Sequence, residues 1–332
     1  PYHILFQQII GIFPNGTKDT MARLISDGFD NKPNINLVKY DYSNKSYSEE
    51  EILEHSKECD YIFVFWCKYQ YDFVDRDYTH NLLDKINRPE VVVYVDGSEY
   101  NCTGFPNPRN QAELSKKNPS LCKGEPWVDE KMYERCRWYF KRETYEEDLV
   151  RDKIVPLLVG GESSYFQAED SSLTEKEYDI FCSFGHTWTG LRGEVQELCQ
   201  KLKSEGFNTI IGSGFPYNIY IYNIIQSYIS VSSWGAGNSC RRMWEIMSNK
   251  TCCFVQKKQI LFPNIFEDGV SYVEYSTPEE FEEKARYYLK NKDKCIEIGR
   301  NGHLHMKKYH TGERRLEYMF NVMSGKDWRN AL

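Results

Sequence analysis

Short apolar runs alternate along the chain with stretches whose apolar residues recur at three- and four-residue spacing. This pattern predicts strands interleaved with helices. In the first half, His3 to Ile10 predicts a strand, Gly11 to Gly16 a loop and Thr17 to Gly28 a helix. Met21, Leu24 and Ile25 share one face of that helix, and Gly28 is placed to end it. Asn36 to Tyr40, Tyr61 to Trp66 and Val91 to Val95 read as further strands, the last running into Asp96-Gly97. Ser48 followed by Glu51 forms a capping box that opens a short helix. Asn101 to Trp127 reads as loop, Asp129 to Cys136 as helix and Trp138 to Phe140 as extended chain.

The alternation resumes after a polar stretch, Gly160 to Glu177, that carries Gly160-Gly161, Ser163-Ser164 and Ser171-Ser172. Tyr178 to Phe184, Phe207 to Gly212, Ile229 to Ser233 and Thr251 to Gln256 predict strands. Helices are predicted over 190–204, over Tyr217 to Tyr228, over 238–248 and over Pro278 to Leu289 with Thr277 as cap. The remainder, about 293 to 323, reads as helix with breaks, its last segment crossing back to the first half. The expected fold class is α/β, with two Rossmann-like domains, 1–160 and 178–332, joined by a linker at 161–177 and facing across a cleft.

Composition narrows the function. A net charge of −7 over 332 residues argues against a nucleic-acid partner, which needs a broad basic face. Aromatic residues at 15% fill cores and also suit stacking on sugar rings. The 11 cysteines include no C-x-x-C pair, which speaks against zinc and for reduced thiols in a cytoplasmic protein. No run of about 18 apolar residues predicts a membrane span, and the first residues read as a strand rather than a signal peptide. The sequons at Asn15, Asn44, Asn101 and Asn249 read as chance.

Two strand-to-helix junctions carry the candidate chemistry. In Ser232-Ser233-Trp234-Gly235-Ala236-Gly237-Asn238-Ser239-Cys240-Arg241-Arg242-Met243-Trp244-Glu245, Gly235 and Gly237 let backbone approach a ligand. The following helix start offers free N–H groups to phosphate, Arg241 and Arg242 add charge, and Glu245 can accept both hydroxyls of a ribose. The blander reading is a strand–helix turn with a solvated arginine pair. In Ser183-Phe184-Gly185-His186-Thr187-Trp188-Thr189-Gly190-Leu191-Arg192, Gly185 frees the loop. Thr187 offers a hydroxyl, and Arg192 can meet a diphosphate or fold back on the loop. His186 is either a phosphate donor or a surface histidine. His303-Leu304-His305, followed by Tyr309-His310-Thr311, hints at metal but lacks an acidic or cysteine partner at helical spacing.

From about 178 to 320 the chain resembles the C-terminal domain of GT-B glycosyltransferases, in particular the group-1-like branch that includes CgeB-type proteins. The resemblance rests on the strand–Gly–Arg192 opening and on Arg242-x-Trp244-Glu245. It extends through Phe266-Glu267-Asp268-Gly269 with Val273 to Tyr275, through Thr277-Pro278-Glu279-Glu280, and through Tyr309-His310-Thr311 with Arg315. It implies a GT-B fold and sugar transfer from a nucleotide-sugar donor, UDP- or GDP-linked, to a hydroxyl of a glycan or glycoconjugate. By similarity Glu245 holds the donor ribose and the Gly235–Arg242 loop the diphosphate. Arg192, Arg241 and Arg242 can point at one edge of the sheet with no paired carboxylates beside them, so no metal or other cofactor is expected. Asp96 or Glu99, at the carboxyl end of a strand, is the candidate base, with a plain turn as the competing reading of Asp96-Gly97. Lys141 and Arg142 either reach across to the phosphates or form a solvated edge. Two alternatives stay open: a metal-dependent GT-A transferase built on Asp75-Arg76-Asp77, and a nucleotide- or sugar-binding module without turnover.

Overall fold

The computed structural model describes residues 7–13, 20–41, 46–66, 76–97, 128–169, 175–187, 190–235 and 237–332. Within them the strands form two parallel sheets. The first contains β1 (Gln7–Phe13), β2 (Ile35–Asp41), β3 (Tyr61–Trp66), β4 (Val92–Asp96), β5 (Trp138–Lys141) and β6 (Ile154–Pro156), in the order β2-β1-β3-β4-β5-β6. The second contains β7 (Tyr178–Ser183), β8 (Thr209–Gly212), β9 (Ser227–Ser232), β10 (Cys252–Gln256) and β11 (Val273–Tyr275), in the order β11-β10-β9-β7-β8. In both, the first strand lies between the second and the third. The winding therefore reverses between β1 and β3 and again between β7 and β9, where doubly wound sheets open a crevice at their carboxyl ends. The expected two Rossmann-like sheets are present.

Helices cover these sheets: α1 (Thr20–Asp30), α2 (Glu49–Glu58), α3 (Arg76–Ile86) and α4 (Glu130–Arg135) in the first half. The second half adds α5 (Arg192–Ser204), α6 (Tyr217–Ile225), α7 (Arg241–Ser248), α8 (Pro278–Lys290), α9 (Lys292–Tyr309) and α10 (Gly312–Met323). Local chemistry sets many of their ends. Ser48 and Glu51 make the reciprocal capping box of α2, with bonds of 3.2 Å and 2.7 Å. Asp129 caps α4, Thr277 caps α8 and Thr311 caps α10. Strands β4, β9 and β10 are buried along their whole length, as parallel strands covered on both faces must be.

Several boundaries differ from the sequence expectation. Strand β1 continues through Phe13, where a loop was expected from Gly11. Helix α6 stops at Ile225, because Ser227 already pairs with Tyr178 as the start of β9. Helix α7 begins at Arg241 rather than 238, because residues 238 and 239 are held by the other half of the molecule, as described below. Gly28 does not end α1. It lies inside the helix and is needed for packing: a Cβ there would sit 2.4 Å from the carbonyl oxygen of Gly312.

That contact belongs to a seam between α10 and the first half. The Tyr318 hydroxyl donates to the Pro156 carbonyl at 2.7 Å, and the Phe320 ring packs edge-on against Tyr61 and Phe63. Buried Arg315 donates to the Val159 carbonyl at 3.1 Å and to His310 Nδ1 at 2.6 Å. One apolar cluster consequently runs from Met21, Phe63 and Val93 through Leu157 to Val159 into Trp244, Leu316 and Met319. The sequon asparagine Asn249 is buried in this region. Its side chain accepts from the backbone N–H groups of Gln167 and Ala168 and donates to the carbonyls of Tyr165 and Glu245. No helix of the described residues is long and apolar enough to cross a membrane.

Gly28→Ala is expected to destabilise the protein by about 1–3 kcal/mol, because the added methyl must push α1 and α10 apart. Urea unfolding measures this, and an unchanged midpoint would mean that the two helices are not in close register.

Candidate functional site

The loops that leave β7 and β9 meet at the switch point of the second sheet. Phe184, just past β7, lies under two guanidinium groups: Arg242 is centred 5.0 Å from its ring and Arg192 5.4 Å. The ring face attracts cations, and this helps hold two like charges together. Arg192, in the first turn of α5, is only 4% exposed, and its Nη1 lies 3.2 Å from His186 Nε2. Buried Nε of Arg192, and Nε and Nη1 of Arg242, have no hydrogen-bond partner. Neither arginine forms an ion pair with a carboxylate of the described residues. A buried and a half-buried guanidinium with N–H donors left over are costly in isolation and complement an anion of matching size. They also act on His186. Burial, then the charges of Arg192 and Arg242, push its imidazole down to about 4, so it is neutral at physiological pH.

The glycines here play unequal parts. A Cβ on Gly235 would lie 3.1 Å from Nη2 of Arg192, so glycine makes room for the guanidinium. Gly190 has a φ of +53° and faces the Gln256 side chain. Gly185 has open space around it, and Gly237 accepts the Gly235 N–H at 3.0 Å. Gln256, at the end of β10, was not singled out from sequence. Its Oε1 accepts from the backbone N–H groups of Leu191 and Trp234, both at 3.2 Å, and so ties the two loops together. A polar residue closing an otherwise apolar strand was the available signal.

Other candidates are engaged elsewhere. Ser233 is buried and its hydroxyl shares a hydrogen bond with the Tyr275 hydroxyl. Thr187 is exposed at the rim. The Asn238 and Ser239 N–H groups, expected to cradle a phosphate, both donate to the buried carboxylate of Glu143 at 2.9 Å. Arg142 donates from the same segment to the Ser239 carbonyl at 2.6 Å. The Asn238 side chain donates to the Tyr145 hydroxyl at 3.1 Å and accepts from the Gln259 N–H at 2.9 Å. Segment 142–145 thus clamps the β9–α7 loop to the first sheet. Arg142 does reach across, but to a carbonyl, and it is neither a solvated edge nor part of the Arg192–Arg242 pair.

Consecutive helix residues point about 100° apart, and Arg241 diverges from Arg242 accordingly. Arg241 Nε pairs with Glu245 Oε1 at 2.8 Å, and its guanidinium lies 5.2 Å from the Tyr165 ring and 5.8 Å from that of Tyr217. The expectation that three arginines share one edge therefore reduces to two. The other oxygen of buried Glu245 accepts from the Tyr220 hydroxyl at 3.0 Å. Burial and the Glu245 carboxylate raise the Tyr220 phenol well above its ordinary value, so it stays a donor. Beyond Tyr165, Glu162 accepts the Tyr165 hydroxyl at 2.8 Å and both Nε and Nη2 of Arg23 from α1 at 3.0 Å.

Asp96 ends β4 and is buried. Its Oδ2 accepts from the Tyr139 hydroxyl at 2.7 Å and lies 3.7 Å from Lys141 Nζ. Glu99 and Asp75 lie outside the described residues, and Asp77 falls in the first turn of α3, not at a strand tip. His303 donates to the Ser248 carbonyl, while His305 and His310 both donate to the Asn264 carbonyl. Their placement is that of packed, hydrogen-bonded histidines. Among the described residues no group of three His, Cys, Asp or Glu side chains could hold a metal ion.

Residues 197–321 match the family model described as "Glycosyl transferase-like". No curated protein sequence matches the chain. Solved structures do match along nearly its whole length. HepE from Anabaena in complex with UDP and glucose aligns with a TM-score of 0.58 at 9% identity, over 96% of this chain and 100% of that one. An alpha-glucosyltransferase in complex with UDP and a 13-mer DNA containing an HMU base aligns with a TM-score of 0.62 at 11% identity, over 96% and 99%. Sucrose-phosphate synthase from Thermosynechococcus elongatus aligns with a TM-score of 0.53 at 9% identity, over 96% and 98%. At such identities the likeness establishes the fold, which is GT-B, and the GT-A reading built on Asp75 and Asp77 falls with it.

Because the two guanidinium groups depress His186, an anion that neutralises them must raise it. NMR titration should give His186 a pKa near 4 in the unliganded protein, moving upward when a nucleoside diphosphate binds. The depressed value also stabilises the fold above the ordinary histidine range. That contribution is lost as pH falls from about 6.5 toward 4. A His186 that titrates near 6.5 and ignores the nucleotide would contradict this arrangement.

Proposed function

We propose that this GT-B glycosyltransferase, whose residues 197–321 match the glycosyl transferase-like model, takes its sugar from a UDP-linked donor seated at the β7–β9 switch point. The observation that carries the reading is the pair of guanidinium groups beside the Phe184 ring, Arg192 buried and Arg242 half-buried, with buried N–H donors left unsatisfied. Breaking the glycosidic bond leaves negative charge on the terminal phosphate. Fixed cations in a dry site stabilise that charge without reorganising at the moment of reaction. The structures of this fold solved with UDP-glucose, an alpha-glucosyltransferase and HepE, favour uridine over guanosine as the base.

Glu245 is the proposed ribose partner. Each carboxylate oxygen can accept more than one hydrogen bond, so the Arg241 and Tyr220 bonds orient the group while leaving it able to accept hydroxyls. Gly235 and Gly237 keep the loop close to the donor, with His186 and Thr187 at its edge and Gly185 giving room. Glu143 takes the N–H groups of Asn238 and Ser239, so their proposed part is to hold the loop in place. The charge is then supplied by arginine, and we infer transfer without a divalent ion, because such an ion needs carboxylate ligands and Glu245 is already paired with Arg241. Asp96 is the proposed base that takes the acceptor proton, with Glu99 as the neighbouring candidate. The proposed acceptor is a hydroxyl of a glycan or glycoconjugate, in keeping with a net charge of −7, although one neighbour of the fold was solved with DNA.

Sugar transfer or donor hydrolysis, assayed in excess EDTA, tests the reading. Wild type should keep its activity and Arg242→Ala should lose about 10²-fold or more in turnover. Asp96→Asn should lose transfer while still binding nucleotide. Activity that EDTA abolishes and that survives Arg242→Ala would place the leaving-group chemistry elsewhere.

A further inference from the structure

Cys240 stands immediately before α7, in the cap position of that helix. Eight cysteines lie among the described residues, all as free thiols; seven are buried, and Cys240 alone of them is partly exposed. Burial pushes the thiols of Cys136 and Cys253 up to about 12, which leaves them inert. Cys240 has a different setting. Nη2 of Arg192 points at its sulfur from 3.7 Å. Arg192 is 4% exposed, and its Nε has no hydrogen-bond partner. Arg242, two residues on, presents two further buried N–H positions without partners. A partly exposed cysteine therefore sits against two guanidinium groups whose unsatisfied donors call for an anion.

We propose that Cys240 is a thiol-modification site selective for anionic, low-molecular-weight disulfides. A reagent carboxylate is drawn to Arg192 and Arg242, which brings its disulfide against the sulfur. The Cys240 thiolate attacks one disulfide sulfur, a new S–S bond forms, the old one breaks, and the other half leaves as thiolate and takes a proton from solvent. A small thiol reverses the exchange. The adduct's carboxylate then occupies the guanidinium pair that a donor diphosphate needs, so the modified enzyme cannot bind its donor. This consequence rests on the donor reading above, whereas the selectivity of the thiol does not.

The test is peptide mapping by mass spectrometry of the intact protein exposed to limiting iodoacetate or iodoacetamide, with rates followed for the Cys240 peptide. Free cysteine, measured in parallel, gives the intrinsic preference between the two reagents. The expected result is a rate ratio shifted toward anionic iodoacetate by about tenfold relative to free cysteine, lost in Arg192→Gln. Glutathione disulfide should inactivate wild type reversibly, while Cys240→Ser, compared with its own untreated activity, should be insensitive. A Cys240 peptide that stays unlabelled, or labels with the preference of free cysteine, overturns the proposal even if UDP binds. Selective labelling that saturating UDP fails to slow upholds the thiol site and instead removes the donor reading.

Discussion

The carboxylate of Glu143, shared between the N–H groups of Asn238 and Ser239, is the contact on which the rest of the site depends. It comes from the first half of the molecule and lies 95 residues away in sequence from the loop it holds. Two charge-assisted hydrogen bonds, with Arg142 closing on the next carbonyl, set where the β9–α7 loop ends and α7 begins. Everything useful on α7 inherits that placement: Arg242 lands on Phe184, Arg241 turns back to Glu245, and Glu245 meets Tyr220. All of segment 141–144 is buried, so the bonds are made in surroundings where an unmet partner would be expensive. The two halves are therefore joined at the loop itself, while α10 joins them again on the far side through Gly28, Tyr61 and Pro156.

This arrangement separates two electrostatic environments that are adjacent in sequence. On one side of α7 the charges alternate, from Arg23 to Glu162, then Arg241 to Glu245, with Tyr165 between. On the other side Arg192 and Arg242 share a ring and meet no carboxylate of the described residues. The first set is internally satisfied. The second carries buried N–H groups without partners, and that asymmetry is why the phosphates are proposed to sit there, with Glu245 at the border between the two sets.

Much of the fold was legible because its signals are local. The capping residues Ser48, Thr277 and the apolar runs of β3, β7 and β10 each depend on a few neighbouring side chains. The glycine, hydroxyl and arginine residues of the two strand-to-helix loops were also legible as a group, and the fold brings Arg192 and Arg242 to one ring. What failed depended on distant partners. Gly28 looked like a helix stop because the chain gives no sign that Gly312 will press against it. The N–H groups of Asn238 and Ser239 looked open because Glu143 lies far away in sequence, just past a strand of the other sheet. Gln256 passed unnoticed because its two partners lie in two different loops. The divergence of Arg241 from Arg242 needed no distant partner: the 100° step of an α-helix already separates consecutive residues.

The central claim is that Arg192 and Arg242 together receive the charge of a diphosphate. Calorimetric titration with UDP and with uridine, for wild type and for Arg242→Gln in EDTA, tests it most directly. The wild type should prefer the diphosphate strongly, and the substitution should cut that preference by about 10- to 100-fold, as loss of charge-assisted hydrogen bonds of about 1.5–3 kcal/mol requires, while uridine affinity stays unchanged. An undiminished preference for UDP in Arg242→Gln would contradict the account.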